Sequence, residues 1–152
     1  MKKLVTQQSR EKVDDAYKRL NGLVIPPEGW LRTLRRALWM SGAQLAARLG
    51  VSKARVSKAE LDELEGRVTL KSMQSMAEAM GCRFVYAIVP DEPVEGLVRQ
   101  RALEKAGEQV KQAAVHMALE DQATSQQQLE YQVERVAHRI MEEMPAYLWN
   151  DE

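Results

Sequence analysis

Apolar residues recur at helical spacing along most of the chain, and capping residues, glycines and prolines cut that pattern into separate helices. Across residues 3–20, Val5, Val13, Ala16, Tyr17 and Leu20 give a sparse stripe with charged residues opposite, closed by Asn21-Gly22. Pro26-Pro27-Glu28-Gly29 makes a turn, and Trp30 to Met40 reads as the next helix, with Leu31, Leu34, Leu38 and Trp30 as core candidates. Ser41 and Gln44 form a capping box ahead of Ala43, Leu45, Ala46 and Leu49. Gly50 ends that helix because glycine takes positive φ cheaply. Ser52 caps again before Lys53–Ala59, and the acidic stretch 60–68 extends this helix until Gly66 breaks it. Thr69 caps a helix over Leu70–Met80 whose inward stripe is Leu70, Met73, Met76, Ala77 and Met80, and Gly81 closes it.

At Arg83–Pro90 the helical pattern stops. Phe84, Val85, Tyr86, Ile88 and Val89 are aromatic or β-branched, which predicts a short strand. A lone strand cannot satisfy its own backbone groups. Pairing of Phe84, Val85, Tyr86 and Ile88 with the same strand of a second subunit is the preferred expectation, with burial against helices as the alternative. After the hinge Pro90–Pro93, residues 94 to about 121 read as helix through Leu97, Val98, Ala102, Val110, Ala113, Ala114, Met117 and Ala118. Gly96 and Gly107 each weaken it by about 1 kcal/mol relative to alanine. Ser125 and Gln128 cap a last helix with the one-sided stripe Leu129, Val133, Val136, Ile140 and Met144. Pro145 ends it, leaving Tyr147-Leu148-Trp149 as an apolar tail. The expected organisation is an N-terminal helical arm at 1–25, a central domain at 26–90 and a C-terminal helical region at 91–152 for dimerisation or partner binding.

The 152-residue chain is 45% hydrophobic and 29% charged, the balance of a globular protein. No apolar run reaches membrane-span length, no signal peptide is recognisable, and the single Cys82 cannot form an internal disulfide. A cytoplasmic protein without membrane partners is expected. The 22 basic and 22 acidic residues cancel, but they are segregated. Gly29–Ala59 holds Arg32, Arg35, Arg36, Arg48, Lys53, Arg55 and Lys58 and no acidic residue, whereas Asp91–Glu152 has 13 acidic and 6 basic ones. Such segregation fits a polyanion-binding face on one segment and an acidic dimer or partner arm on another.

Two short helices joined by about three residues, with small Ala46, Gly50 and Ala59 at their crossing, make a helix-turn-helix. Its second helix presents Lys53, Ala54, Arg55, Ser57 and Lys58 outward. Arginine and lysine reach guanine or phosphate, serine bonds to phosphate or base, and alanine leaves room for a thymine methyl. Ser41, Gln44 and Ser52 sit in the first turns of helices, where free amides and the dipole favour phosphate. Lys53, Ala54, Arg55 and Lys58 are expected to face bases, and Arg35 to pair with Glu60. The helix over residues 3–20 is read as a packing helix, ahead of crossing to another subunit or lying along DNA.

The stretch Ser41–Glu60 resembles the XRE/Cro-type helix-turn-helix, whose pattern places Ser41, Leu45, Ala46, Leu49, Gly50, Val51, Ser52, Val56, Ser57 and Glu60. The family pairs an arginine at the place of Arg35 with the glutamate matching Glu60, and it often has a phosphate-contacting glutamine where this chain has Gly42. The resemblance implies a mainly α fold, here a lambda-repressor-like helix-turn-helix domain with one short strand and a C-terminal helical extension. Nearly the whole chain is also similar to the family called mobile mystery protein A, through PPEGWLRTLRRALWMS, ELDELEGRVTL, AEAMGCRFVYAIVP and HMALEDQ. That resemblance implies a Fic-domain partner encoded alongside and an antitoxin-like role. No Ser or Thr here has Glu four residues on, so the helix motif by which one class of Fic antitoxin blocks ATP is missing.

No enzyme constellation can be assembled. His116 and His138 lack neighbouring metal ligands, carboxylate pairs such as Asp14-Asp15 are adjacent and so diverge, and no phosphate-binding glycine loop or nucleophile elbow occurs. Cys82 reads as a small buried side chain. No metal and no cofactor are expected. The expected function is a sequence-specific, homodimeric repressor on a palindromic operator in double-stranded DNA, autoregulating an operon with a Fic-domain partner. The alternative is an antitoxin that clamps a partner with its C-terminal helices.

Overall fold

The computed structural model describes residues 1–119 and 125–151. The described residues form two compact units, 22–87 on the one hand and 1–21 with 88–151 on the other. The second grouping joins the N-terminal helix to the C-terminal helices, where the sequence reading set 1–25 apart as an arm. Amphipathic periodicity shows that a helix needs cover but not which element covers it.

The central unit contains α2 (Trp30–Ala37), α3 (Gly42–Leu49), α4 (Lys53–Glu65) and α5 (Leu70–Ala79). Each start is fixed by a side chain that accepts a free amide. Ser41 Oγ takes the Gln44 N–H at 3.1 Å while Gln44 Oε1 takes the Ser41 N–H at 2.8 Å. Ser52 Oγ accepts from Arg55 N, and Thr69 Oγ1 from Ser72 N. The stripes meet in a core of Leu31, Leu45, Ala46, Val56, Met73, Met76 and Met80, with Leu34, Leu49, Val51, Ala59 and Phe84 packed around it. Helix α2 stops at Ala37, short of Met40, and Leu38 is exposed. Helix α4 is longer than a minimal recognition helix: the acidic stretch continues it through Glu65 to a left-handed Gly66.

Residues 83–90 are not a strand, and no strand occurs among the described residues. The segment is extended, with the Phe84 and Tyr86 rings stacked at 5.9 Å on one side and Phe84 against the core. Val85, Tyr86 and Ile88 are exposed. Aromatic and β-branched residues favour extended backbone, but a strand also needs a second row of amides and carbonyls, and none of the described chain lies alongside. Among the described residues Phe84, Val85, Tyr86 and Ile88, the expected dimer strand, therefore form no ladder.

The other unit contains α1 (Lys2–Leu20), α6 (Val94–Leu119) and α7 (Gln126–Glu143). The expected end of α6 near Asp121 lies outside the described residues, as do the side chains of Met117 and Ala118. Helices α6 and α7 pack through small residues, Ala102, Ala106 and Ala137, which let the backbones approach, with Ile140 and Leu148 filling the remaining space. Helix α1 buries no residue completely, but its Asp14 accepts the Val94 N–H at 2.9 Å, capping α6. The apolar tail is docked: Leu148 is buried, and Arg101 donates to the carbonyls of Leu148 at 2.8 Å and Asn150 at 2.6 Å. The Trp149 ring lies 5.8 Å from the same guanidinium.

Candidate nucleic-acid interface

Helix α4 is divided lengthwise. Val56 is 1% exposed and anchors it to the core, while Lys53, Ala54, Arg55, Ser57 and Lys58 all lie exposed on its outer side. The anchored side carries two carboxylates. Glu60 forms a two-point pair with Arg35 of α2, Nε to Oε1 at 2.6 Å and Nη2 to Oε2 at 3.2 Å, and Arg35 Nη1 also donates to Met40 O at 3.0 Å. Both side chains are largely buried, and the hydrogen bond to Glu60 raises the Arg35 pKa against the opposing effect of burial. One turn on, Glu63 accepts the free amides at the start of α2, Trp30 N–H at 2.6 Å and Leu31 N–H at 2.9 Å. The sequence reading missed Glu63, which lies 33 and 32 residues from the two amides it caps.

The predicted phosphate contacts are placed with their donors free. The Ser41 and Ser52 oxygens accept from their own helices, which leaves each hydroxyl hydrogen available. Gln44 spends Oε1 on the capping box and keeps its NH₂. Lys53 lies across Gly42, where an added Cβ would meet its chain at an ordinary 3.9 Å. Lys58 Nζ sits 2.9 Å from Asp62, an exposed pair one helical turn apart and therefore weak. Arg48 points elsewhere, its Nε donating to Ala79 O at 2.6 Å. Of the seven cations in the acid-free stretch, Arg35 and Arg48 therefore hold the fold together. Arg36 pairs with Glu28, and the outer side of α4 keeps Lys53 and Arg55 without an acidic partner among the described residues.

Among the described residues no three His, Cys, Asp or Glu side chains come together as metal ligands, and no helix is long and apolar enough to cross a membrane.

Residues 31–86 match the family model described as helix-turn-helix, a little over a third of the chain. Comparison with curated proteins and with solved structures gives no match. The matched family consists of regulatory DNA-binding domains rather than enzymes, and the segment of this chain running from α2 through α5 carries a helix-turn-helix of the XRE type.

Proposed function

We propose that the protein is a sequence-specific transcriptional repressor that binds a palindromic operator as a homodimer. The observation that carries this reading is the lengthwise division of α4, with Lys53, Ala54, Arg55 and Ser57 outward and Val56, Glu60 and Glu63 holding the other side. A helix so held enters a major groove with its N-terminal residues on base edges, while α3 crosses the backbone; two copies would address half-sites about 34 Å apart or a multiple of that. The similarity to the mobile mystery protein A family supports autoregulation of an operon shared with a Fic-domain partner.

The test is fluorescence anisotropy on DNA from upstream of the protein's own gene, against a scrambled duplex, across a salt series. Selective binding lost with Arg55→Ala establishes a sequence-specific DNA-binding regulator, and the salt slope counts phosphate contacts. Equal, weak binding to both duplexes rejects it as a stand-alone regulator. The second reading is an antitoxin whose C-terminal helices neutralise the partner. It is favoured by the acidic excess of Asp91–Glu152, 13 acidic against 6 basic residues, which suits a basic surface rather than DNA. Co-purification of the chain with the Fic-domain neighbour, and its loss on reversing acidic residues of α7, separates the two.

A further inference from the structure

Three helix ends in this chain turn through glycine: Gly50, Gly66 and Gly81 have φ of 68°, 73° and 73°, the left-handed conformation that costs glycine nothing. Helix α2 ends in the same hydrogen-bonded turn. Trp39 N–H reaches Arg36 O and Met40 N–H reaches Arg35 O, both at 3.0 Å, just as Gly50 and Val51 reach Ala47 and Ala46. The left-handed residue here is Trp39, with φ 58°. A side chain with a Cβ is sterically disfavoured in that region, and a bulky one more so.

No side-chain contact of Trp39 among the described residues offsets that strain. Trp39 is 95% exposed, and among the described residues its indole makes no hydrogen bond, ring or cation contact. The other two tryptophans differ: Trp30 is 41% exposed, and Trp149 lies against Arg101. Tryptophan is on average a highly buried residue. One held out on a rigid turn, beside a main chain locked by Arg35, is displayed for something outside the molecule.

Its surroundings say what. Trp39 lies in the stretch Gly29–Ala59, which has no acidic side chain, between Arg36 and the Ser41 cap of α3. In helix-turn-helix docking α3 is the helix that crosses the DNA backbone. Indole offers a broad apolar face and one N–H that can only donate, which matches a deoxyribose with a phosphate oxygen beside it. We propose that Trp39 packs on the sugar of the DNA backbone flanking the major groove and donates its Nε1–H to a phosphate, an inference that rests on the DNA-binding reading above.

The test uses the full chain as wild type, Trp39→Gly and Trp39→Phe, with anisotropy on the cognate and scrambled duplexes, thermal melting and sedimentation velocity. Trp39→Gly removes strain and no buried surface, so its melting temperature should rise by about 4 °C. Its affinity for both duplexes should nonetheless fall about tenfold, with the salt slope and sedimentation unchanged, because a neutral contact is lost. Trp39→Phe keeps the apolar face without the donor and should lose part of that affinity. Wild-type binding retained in Trp39→Gly would overturn the proposal, and so would weaker binding accompanied by a shift in sedimentation, which would assign Trp39 to a subunit contact. Wild type that binds neither duplex selectively would instead reject the DNA-binding reading itself, and the proposal with it.

Discussion

Arg35 and Glu60 meet edge to edge, guanidinium against carboxylate, with side chains only 14% and 11% exposed. The pair ties the helix that carries Arg35 to the helix that would read DNA. Truncating either residue to alanine leaves the other charge buried without its partner, at a cost of about 3 kcal/mol. Arg35→Ala and Glu60→Ala should each lower the denaturation midpoint clearly, while the Arg35→Met/Glu60→Leu double variant should recover much of the loss. Equal midpoints for wild type and single variants would show that the pair contributes nothing.

The same pair sets an expectation for pH. The Arg35 pKa is raised by its hydrogen bond to Glu60, so this contribution to stability is fully present below the ordinary guanidinium range and is lost only as pH climbs through the raised value. Arg35 should therefore add no pH dependence near neutrality. The stability difference between wild type and Arg35→Ala, measured by urea denaturation, should stay constant from pH 6 to about 9.

Glu63 forms a second tie, to the Trp30 and Leu31 amides. Glu63→Gln keeps the shape but loses the charge and one of the two oxygens that accept the helix-starting amides, and should cost about 1–2 kcal/mol. Hydrogen exchange at the Trp30 and Leu31 amides should accelerate. Gly29 sits at φ 84°, and a Cβ there would come within 3.0 Å of the Glu63 carboxylate. Gly29→Ala should accordingly destabilise more than Gly22→Ala, where no atom lies within 4 Å.

Gly42 is a place where binding can be gained. A Cβ there meets only the Lys53 stem, and the XRE/Cro-type helix-turn-helix that this stretch resembles often carries a phosphate-contacting glutamine at this position. Gly42→Gln should tighten binding about fivefold on cognate and scrambled duplexes alike, leaving the salt slope unaltered because no charge is added. Tightening confined to the cognate duplex would mean that the new amide reads a base.

Leu148 should matter to the C-terminal helices although it lies beyond the last of them. It is buried between α6 and α7 with Ala102 and Ala137. Leu148→Ala should cost about 2–4 kcal/mol, read as a lower melting temperature for the unit that contains these helices.

Local chemistry made much of this legible. Ser41, Ser52, Thr69 and Ser125 announced helix starts, and Gly50 and Gly66 announced ends, because the residues that fix these points lie within a turn of them. The long-range ties were less accessible. Arg35 with Glu60 could be anticipated from family spacing, whereas Glu63 belongs to an acidic run that reads as solvated surface until the fold brings the start of α2 against it. The surroundings of residues 83–90 were not legible, because Val85 and Ile88 report a preference for extended backbone and say nothing about a partner for it. The docking of the tail was hidden for another reason: Arg101 holds it through main-chain carbonyls, which every sequence possesses.

The two carboxylates on one side of α4 have a further consequence. With Glu60 and Glu63 clamped one turn apart, α4 cannot roll or tilt without breaking both ties at once. If this helix reads an operator, it does so as a stiff template whose ordering cost was met during folding. Adjustment then falls to the nucleic acid, so sequences at the untouched centre of the operator should influence affinity through how readily they bend and twist.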